Sequence, residues 1–299
     1  MLQVKIAFAK KTHYLLSLLP FRVLYALSDF IYILVYHVIG YRKKVTRNNL
    51  ERSFPEKTKQ EIIALEKKFY HYFCDYIVET NKLFSLSEKQ SKQHLTMSGI
   101  DEMEKEFSEK DFVFLCMGHY ANWEWFASIP LWLKNKETFV GSGYQPLKSR
   151  TYDQIFLDLR GKFGLQGIAS KDLLRKIISM RKEKRKGIIM FISDQAPSLI
   201  GAHCWTNFLH QDTAFFTGAE SIGRKQNAAF YFTEITRPKR GYYHVNFVKI
   251  AADITKKNEV TKKYAEMLEQ MIIRQPELWL WTHRRWKRDR SYYGDSTEQ

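Results

Sequence analysis

A chain of 299 residues with 44% hydrophobic and 15% aromatic content has ample material for a large core, which excludes a disordered or low-complexity protein. Its 48 Lys plus Arg against 32 Asp plus Glu leave a formal net charge of +16, so its expected partners are anionic: phosphorylated substrate, anionic lipid, acidic protein or nucleic acid. Cys74, Cys116 and Cys204 show no CxxC spacing, and His203 and His210 near Cys204 lack the further ligands of a metal set; no disulfide framework, metal or bound cofactor is expected.

Residues 14–41 read YLLSLLPFRVLYALSDFIYILVYHVIGY. A spanning helix needs about 20 mostly apolar residues. This window holds Pro20, Arg22, Asp29 and His37, and central charges cost roughly 2.5–3.5 kcal/mol each. One or two amphipathic helices at a bilayer surface fit better, with Lys10 and Lys11 before them and Arg42, Lys43, Lys44 and Arg47 after. The alternative is a buried helical pair covering a soluble core. No small-residue cleavage site follows, so a secretory signal is a poor fit. Residues 1–47 are expected to form a membrane-associating helical segment and 48–299 the remaining domain. Helical periodicity over Thr58–Phe84 makes the first hundred residues read as all-helical.

The centre of the chain is Asp111-Phe-Val-Phe-Leu-Cys-Met-Gly118-His119-Tyr-Ala-Asn-Trp-Glu124-Trp125. Phe112–Met117 has the composition of a buried strand. His119 is then the first polar side chain past its end, and Asn122 is a good N-cap for a following helix with Glu124 in its first turn. Ligands bind outside the carboxyl ends of strands in open α/β sheets. A His on the turn and a Glu reaching back to it can act as base and orienter, with the hydroxyl nucleophile supplied by the substrate. The bland alternative is a loop histidine beside a carboxylate favoured by the helix dipole.

Glu137–Gly143 reads as a second strand, Tyr152–Lys162 as a helix with Arg160 near its end, and Lys171–Lys186 as a helix ending in the basic run RKEKRK. Gly187–Ser193 is another buried-strand run, delivering Asp194 and Gln195 at its end as the first strand delivers His119. A turn-capping Asp is the alternative there. Phe216–Gln226 and Val260–Gln275 read as helices, and Ala228–Ile235 and His244–Ile250 as strands joined by the turn sequence Arg237-Pro-Lys-Arg-Gly241. The end, PELWLWTHRRWKRDR, is rich in Trp and Arg. There is no P-loop, no GxGxxG and no G-x-S-x-G elbow, which disfavours an acyl-serine hydrolase.

Five segments stand in an ordered array: LLPFRVLYALSDFIYILVYHVIGYRKKVTRNNLERSFPE, GHYANWEW, YQPLKSRTYDQIFLDLRGKFG, ISDQAP and PELWLWTHRRWKR. In this array the chain resembles the lipid A late acyltransferase family, the lauroyl and myristoyl transferases of lipopolysaccharide assembly. The resemblance implies an α/β fold with a mixed central sheet flanked by helices, glycerolipid acyltransferase-like, after an N-terminal helical membrane-associating segment. It implies His119 as general base and Glu124 as the acid orienting it, with Asn122, Arg160, Asp194 and Gln195 on the substrate side. It further implies transfer of a fatty acyl chain from acyl carrier protein or acyl-CoA to a hydroxyl of a lipid A precursor, at the cytoplasmic face of a Gram-negative inner membrane. In that setting the base takes the hydroxyl proton, backbone N–H groups near Gly118 or Arg160 stabilise the oxyanion, and no acyl-enzyme is needed. RKEKRK and the cluster Arg284, Arg285 and Arg288 become candidate docking charges for the acidic carrier, the phosphates or the membrane. The nearest rival is a same-fold acyltransferase acting on a glycerophospholipid or ornithine-type lipid. A catalytically dead scaffold is another, and no nucleic-acid-binding signature is present.

Overall fold

The computed structural model describes residues 2–198 and 203–293. In chain order it builds α1 (Leu2–Ser17), α2 (Phe21–Tyr32, running on as a π-helical turn over Ile33–Ile39), α3 (Lys43–Ser53), α4 (Lys59–Lys82), α5 (Glu88–His94), β1 (Leu95–Ser98), α6 (Ile100–Lys105) and β2 (Phe112–Met117). Next come a 3₁₀ segment at Trp123–Leu131, β3 (Phe139–Tyr144), α7 (Arg150–Gly161), β4 (Gln166–Ala169), α8 (Ser170–Lys182), β5 (Gly187–Ile192), the hairpin β6 (His203–Phe208) and β7 (Gln211–Phe216), α9 (Gly218–Lys225), β8 (Ala228–Lys239), β9 (Tyr242–Lys249) and α10 (Glu259–Arg274).

Seven strands form the central sheet in the order β1-β9-β8-β2-β5-β3-β4. Every neighbour pair is parallel except β8–β9, whose antiparallel hairpin turns at Gly241 (φ 77°), so the sheet is mixed as expected. All six residues of β2 are buried, because helices cover both faces of a parallel sheet and leave its centre no polar side.

Three departures from the sequence reading have local causes. β1 interrupts the helical first hundred residues: four residues of modest β propensity are recruited by pairing in parallel with β9. The β6–β7 hairpin turns on Leu209 and His210, both at positive φ (51° and 61°), a primed-turn geometry with none of the Asn or Gly that usually announces it. And Asn122 does not cap a helix. Its φ of −90° and ψ of 78° give no side-chain cap, its amide donates to Glu79 instead, and the chain continues into a 3₁₀ segment containing Pro130.

α2 packs on α4, which starts with a Thr58–Glu61 capping box. The stretch Phe21–Ile39 is long and apolar enough to cross a membrane by length and composition, and only 17% of that window is buried in the protein. Asp29, at its middle, is paired with Arg240 and His71.

Candidate active site

Met117 of β2 and Ile192 of β5 are register partners in adjacent parallel strands. Two residues beyond each strand end, His119 and Asp194 therefore emerge side by side. Asp194 Oδ1 accepts from His119 Nδ1 at 2.6 Å, and Oδ2 accepts from the His119 backbone N–H at 2.8 Å and from Trp279 Nε1 at 2.8 Å. Burial alone would push the Asp194 carboxyl up, but the His119 imidazole beside it and these three donors bring it down to about 2. It is ionised at neutral pH, which fixes the His119 proton on Nδ1 and leaves Nε2 as an acceptor. Nε2 faces the Gln195 side-chain amide at 3.3 Å, and the imidazole remains 20% exposed.

The backbone around His119 is clamped by the C-terminal segment. Ala121 N–H donates to the Leu278 carbonyl, Leu280 N–H donates to the His119 carbonyl, and Tyr120 bridges to Trp279. Ala121 is held at φ 51°, a strained conformation for a residue with a Cβ, where the surrounding contacts enforce it. Gly118 leaves room for this packing: a Cβ there would meet Leu268 Cδ1 at 2.9 Å and Asp194 Oδ2 at 3.3 Å.

Glu124 takes a different partner from the one expected. Its Oε2 and Oε1 accept from Arg160 Nε at 2.8 Å and Nη2 at 2.6 Å, a bidentate pair in which Glu124 is buried. The carboxylate that holds the imidazole is Asp194. Geometry decides this: β5 lies next to β2 and delivers Asp194 at the level of His119, whereas the 3₁₀ turn aims Glu124 at α7. The Asn122 amide donates to the carboxylate of Glu79, a buried residue of α4, and Trp125 Nε1 donates to the Glu79 carbonyl. Burial raises the Glu79 carboxyl, with the charge of Arg237 and donors from Tyr243 and Asn122 opposing it.

Sequence reasoning missed Glu79, Trp279 and His283. Trp279 lies within PELWLWTHRRWKR, so its motif was visible and its role was not. His283 is half-buried, its imidazole pushed down to about 4 by burial, with Asp194 pulling the other way and His119 and Arg285 adding to the fall. Its Nε2 is buried without a hydrogen-bond partner among the described residues. In the basic cluster, Arg285 is buried against the Phe215 ring and donates to the Ala214 carbonyl, and Arg288 donates to the Pro197 carbonyl. Arg285 thus braces β7 and Arg288 the segment that follows β5, and Arg284 is exposed.

The pair His119–Asp194 has no Ser, Thr or Cys hydroxyl or thiol hydrogen-bonded to Nε2 among the described residues. The nearby Cys116 is pushed up to about 12 by burial and is a poor nucleophile. Elsewhere, Asp29, His71 and Asp75 converge within 4.8 Å, yet Ser28, Arg237 and Arg240 engage the Asp75 carboxylate and Arg240 that of Asp29, so the cluster is an ion-pair network.

Fold and site together are those of an α/β protein with a carboxylate-held histidine at the carboxyl ends of two adjacent parallel strands. The chain belongs to the bacterial lipid A biosynthesis acyltransferases, whose family model matches residues 6–288, and it is accordingly an acyltransferase. It is 21% identical over 272 residues to a lipid A biosynthesis palmitoleoyltransferase of Escherichia coli (strain K12), covering 90% of this chain and 86% of the relative. The same identity and coverage hold for a lipid A biosynthesis acyltransferase of Shigella flexneri.

Proposed function

We propose that this enzyme moves a fatty acyl chain from an acyl carrier protein or coenzyme A thioester to a hydroxyl of a lipid A precursor, with His119 as general base and Asp194 as the residue that orients it. The observation carrying this reading is the His119–Asp194 pair, in which Nδ1 meets the carboxylate, Nε2 is the ring's other nitrogen, and the imidazole is partly exposed. Nε2 removes the proton of the acceptor hydroxyl as its oxygen bonds to the thioester carbonyl carbon. The tetrahedral oxyanion collapses, the C–S bond breaks, and the proton on Nε2 passes to the departing thiolate. The ester and the free thiol are the products, and no acyl-enzyme intervenes.

Gln195 is the best-placed donor for the oxyanion, since an amide N–H within 3.3 Å of the base atom is within reach of a carbonyl attacked there. The His119 backbone N–H is committed to Asp194 and cannot serve. Glu124 holds Arg160 through Nε and Nη2, leaving Nη1 without a protein partner among the described residues and available to an anionic group of either substrate. Asn122 supports the loop from behind through Glu79 rather than touching substrate. The precursor's phosphates, an acidic carrier and an anionic inner-membrane surface on the cytoplasmic side suit the net charge of +16, and residues 1–47 are the proposed membrane-associating segment ahead of an acyltransferase domain over 48–299.

Mass spectrometry of lipid A precursor incubated with acyl thioesters and the protein in detergent tests the proposal. A mass gain of one acyl chain, absent with His119→Ala, is expected. Acylation of a glycerophospholipid or an ornithine-type lipid in its place would transfer the reading to a different acceptor.

A further inference from the structure

Tyr76 also lines an apolar, partly open cavity of about 280 Å³ between α1, α2, α4 and α7. Leu16, Leu24, Leu27, Ile31, Ile77 and Ile155 line it. Its volume is near the lower end of ligand sites, about 300–1,000 Å³, which suits one hydrocarbon chain and not a whole two-chain lipid. Two of its wall residues, Phe84 and Leu159, also line a neighbouring open cavity of about 460 Å³ that carries Lys10, Lys11 and Lys162 against the single carboxylate of Asp158. Lys10 pairs with Asp158, and Lys162 donates to the Leu83 and Phe84 carbonyls.

We infer that this pair of cavities is a binding site for an anionic phospholipid of the surrounding bilayer, one acyl chain in the apolar slot and the phosphate at Lys10, Lys11 and Lys162. Charge order along the site selects this occupant. An amphiphile entering from the lysine side leaves its anionic head among cations and its chain among aliphatic side chains. A donor chain entering from His119 would have to pass Tyr76 and Trp123, whose rings stack at 4.3 Å, and would end its apolar tip at ammonium groups. The outer surface of α1 is suited to hydrocarbon: Val4, Phe8 and Leu15 are exposed, at 71, 74 and 56%. The lipid so held reaches the active site through rings, because Tyr76 lines the slot, stacks on Trp123, and Trp123 meets the His119 ring edge-on at 5.2 Å.

The test is native mass spectrometry of the full chain in detergent with added phosphatidylglycerol or phosphatidylcholine, comparing wild type with Lys10→Glu/Lys11→Glu and with Leu27→Trp, which fills the slot. One retained phosphatidylglycerol per chain, weak retention of phosphatidylcholine, and loss of retention in both variants are expected. Reversal of two lysines near an anionic head lowers retention about 30-fold or more. Should Leu27→Trp not fold, as read by circular dichroism, the lysine pair on the solvent-facing side carries the comparison. Equal retention of phosphatidylglycerol by wild type and the lysine variant overturns the site. So does its displacement by the acyl thioester or the lipid A precursor, which would give the slot to a reaction partner. Retention is read without turnover, so its failure is separate from any failure of the proposed acyl transfer.

Discussion

Replacing Asp194 by Asn changes one atom and sets the three hydrogen bonds at this carboxylate against one another. Oδ1 receives His119 Nδ1–H, while Oδ2 receives two donors, the His119 backbone N–H and Trp279 Nε1–H. An amide has one oxygen and one NH₂ to put in these places. With the NH₂ on the Oδ2 side, two buried donors lose their acceptor, at about 1–3 kcal/mol each. With the NH₂ facing Nδ1, only the imidazole has to adjust, and it does so by moving its proton to Nε2. The second arrangement is the less costly, and it leaves the base in the wrong tautomer with no lone pair toward the substrate. We expect kcat to fall about 10³–10⁴-fold with KM little changed, the scale that tautomer loss gives in catalytic triads.

Stability moves with it. The carboxyl is lowered from its ordinary 3.8 to about 2, so ionised Asp194 contributes roughly 2 kcal/mol that is present above pH 4 and lost as pH falls toward 2. Asp194→Asn should therefore unfold at lower temperature at pH 7, and the gap from wild type should narrow in acid. Initial rates of acyl transfer by mass spectrometry, with thermal unfolding at pH 7 and below pH 4, check both parts. A variant that keeps kcat within tenfold of wild type would refute the assignment of Asp194 as the residue that orients the base.

Glu124→Gln leaves Arg160 facing a neutral amide; because Arg160 is 22% exposed we expect a loss of about 2–3 kcal/mol, at the lower end of a broken buried pair, and Glu124→Gln/Arg160→Met should recover part of it in thermal unfolding. Gly118→Ala pushes a methyl against Leu268 Cδ1 and Asp194 Oδ2, so unfolding by denaturant should show a loss of about 1–3 kcal/mol, and kcat should fall with KM held as the carboxylate is displaced. Trp279→Phe removes one donor from Asp194 and raises its carboxyl, so acid unfolding should begin at higher pH while kcat falls by about tenfold or less.

The strands that carry the site were readable because each is a continuous apolar run, and a run buried on both faces has little choice but the centre of a parallel sheet. His119 and Asp194 were both found by the same rule, as polar residues just past such runs. What the rule does not contain is strand order. That β5 lies directly beside β2, and in register at Met117 and Ile192, is a tertiary fact, and it decides which acid meets the imidazole. Glu124 was expected to reach back to His119 from the first turn of a helix, and a turn that winds as 3₁₀ and not α sends that carboxylate to Arg160. β6 and β7 stayed hidden for a related reason: their turn at Leu209 and His210 depends on packing to hold positive φ, not on turn-forming residues. The terminal motif and the first motif were each visible, but not that they touch; Asn49 donates to the Trp281 and His283 carbonyls across more than two hundred residues, both at 2.9 Å.

That contact and the one at Glu79 explain how His119 can be held steady on a loop. Glu79 sits on α4 with its carboxylate buried among donors from three directions: Tyr25 of α2 at 3.0 Å, Asn122 of the catalytic loop at 3.1 Å and Tyr243 of β9 at 2.7 Å. A buried carboxylate is tolerated only when its acceptor sites are filled, so each of the three elements is held in place by the others' need for the same group. His119 is thus fixed from the front by Asp194 and Trp279 and from behind, through Asn122, by a residue that also bonds the N-terminal helices. The loop carrying His119 therefore takes its shape from the packing of α2 against α4 as well as from the sheet, and the N-terminal helices, whose apolar residues Phe8 and Phe30 are exposed, belong to the same hydrogen-bonded network as the His119–Asp194 pair.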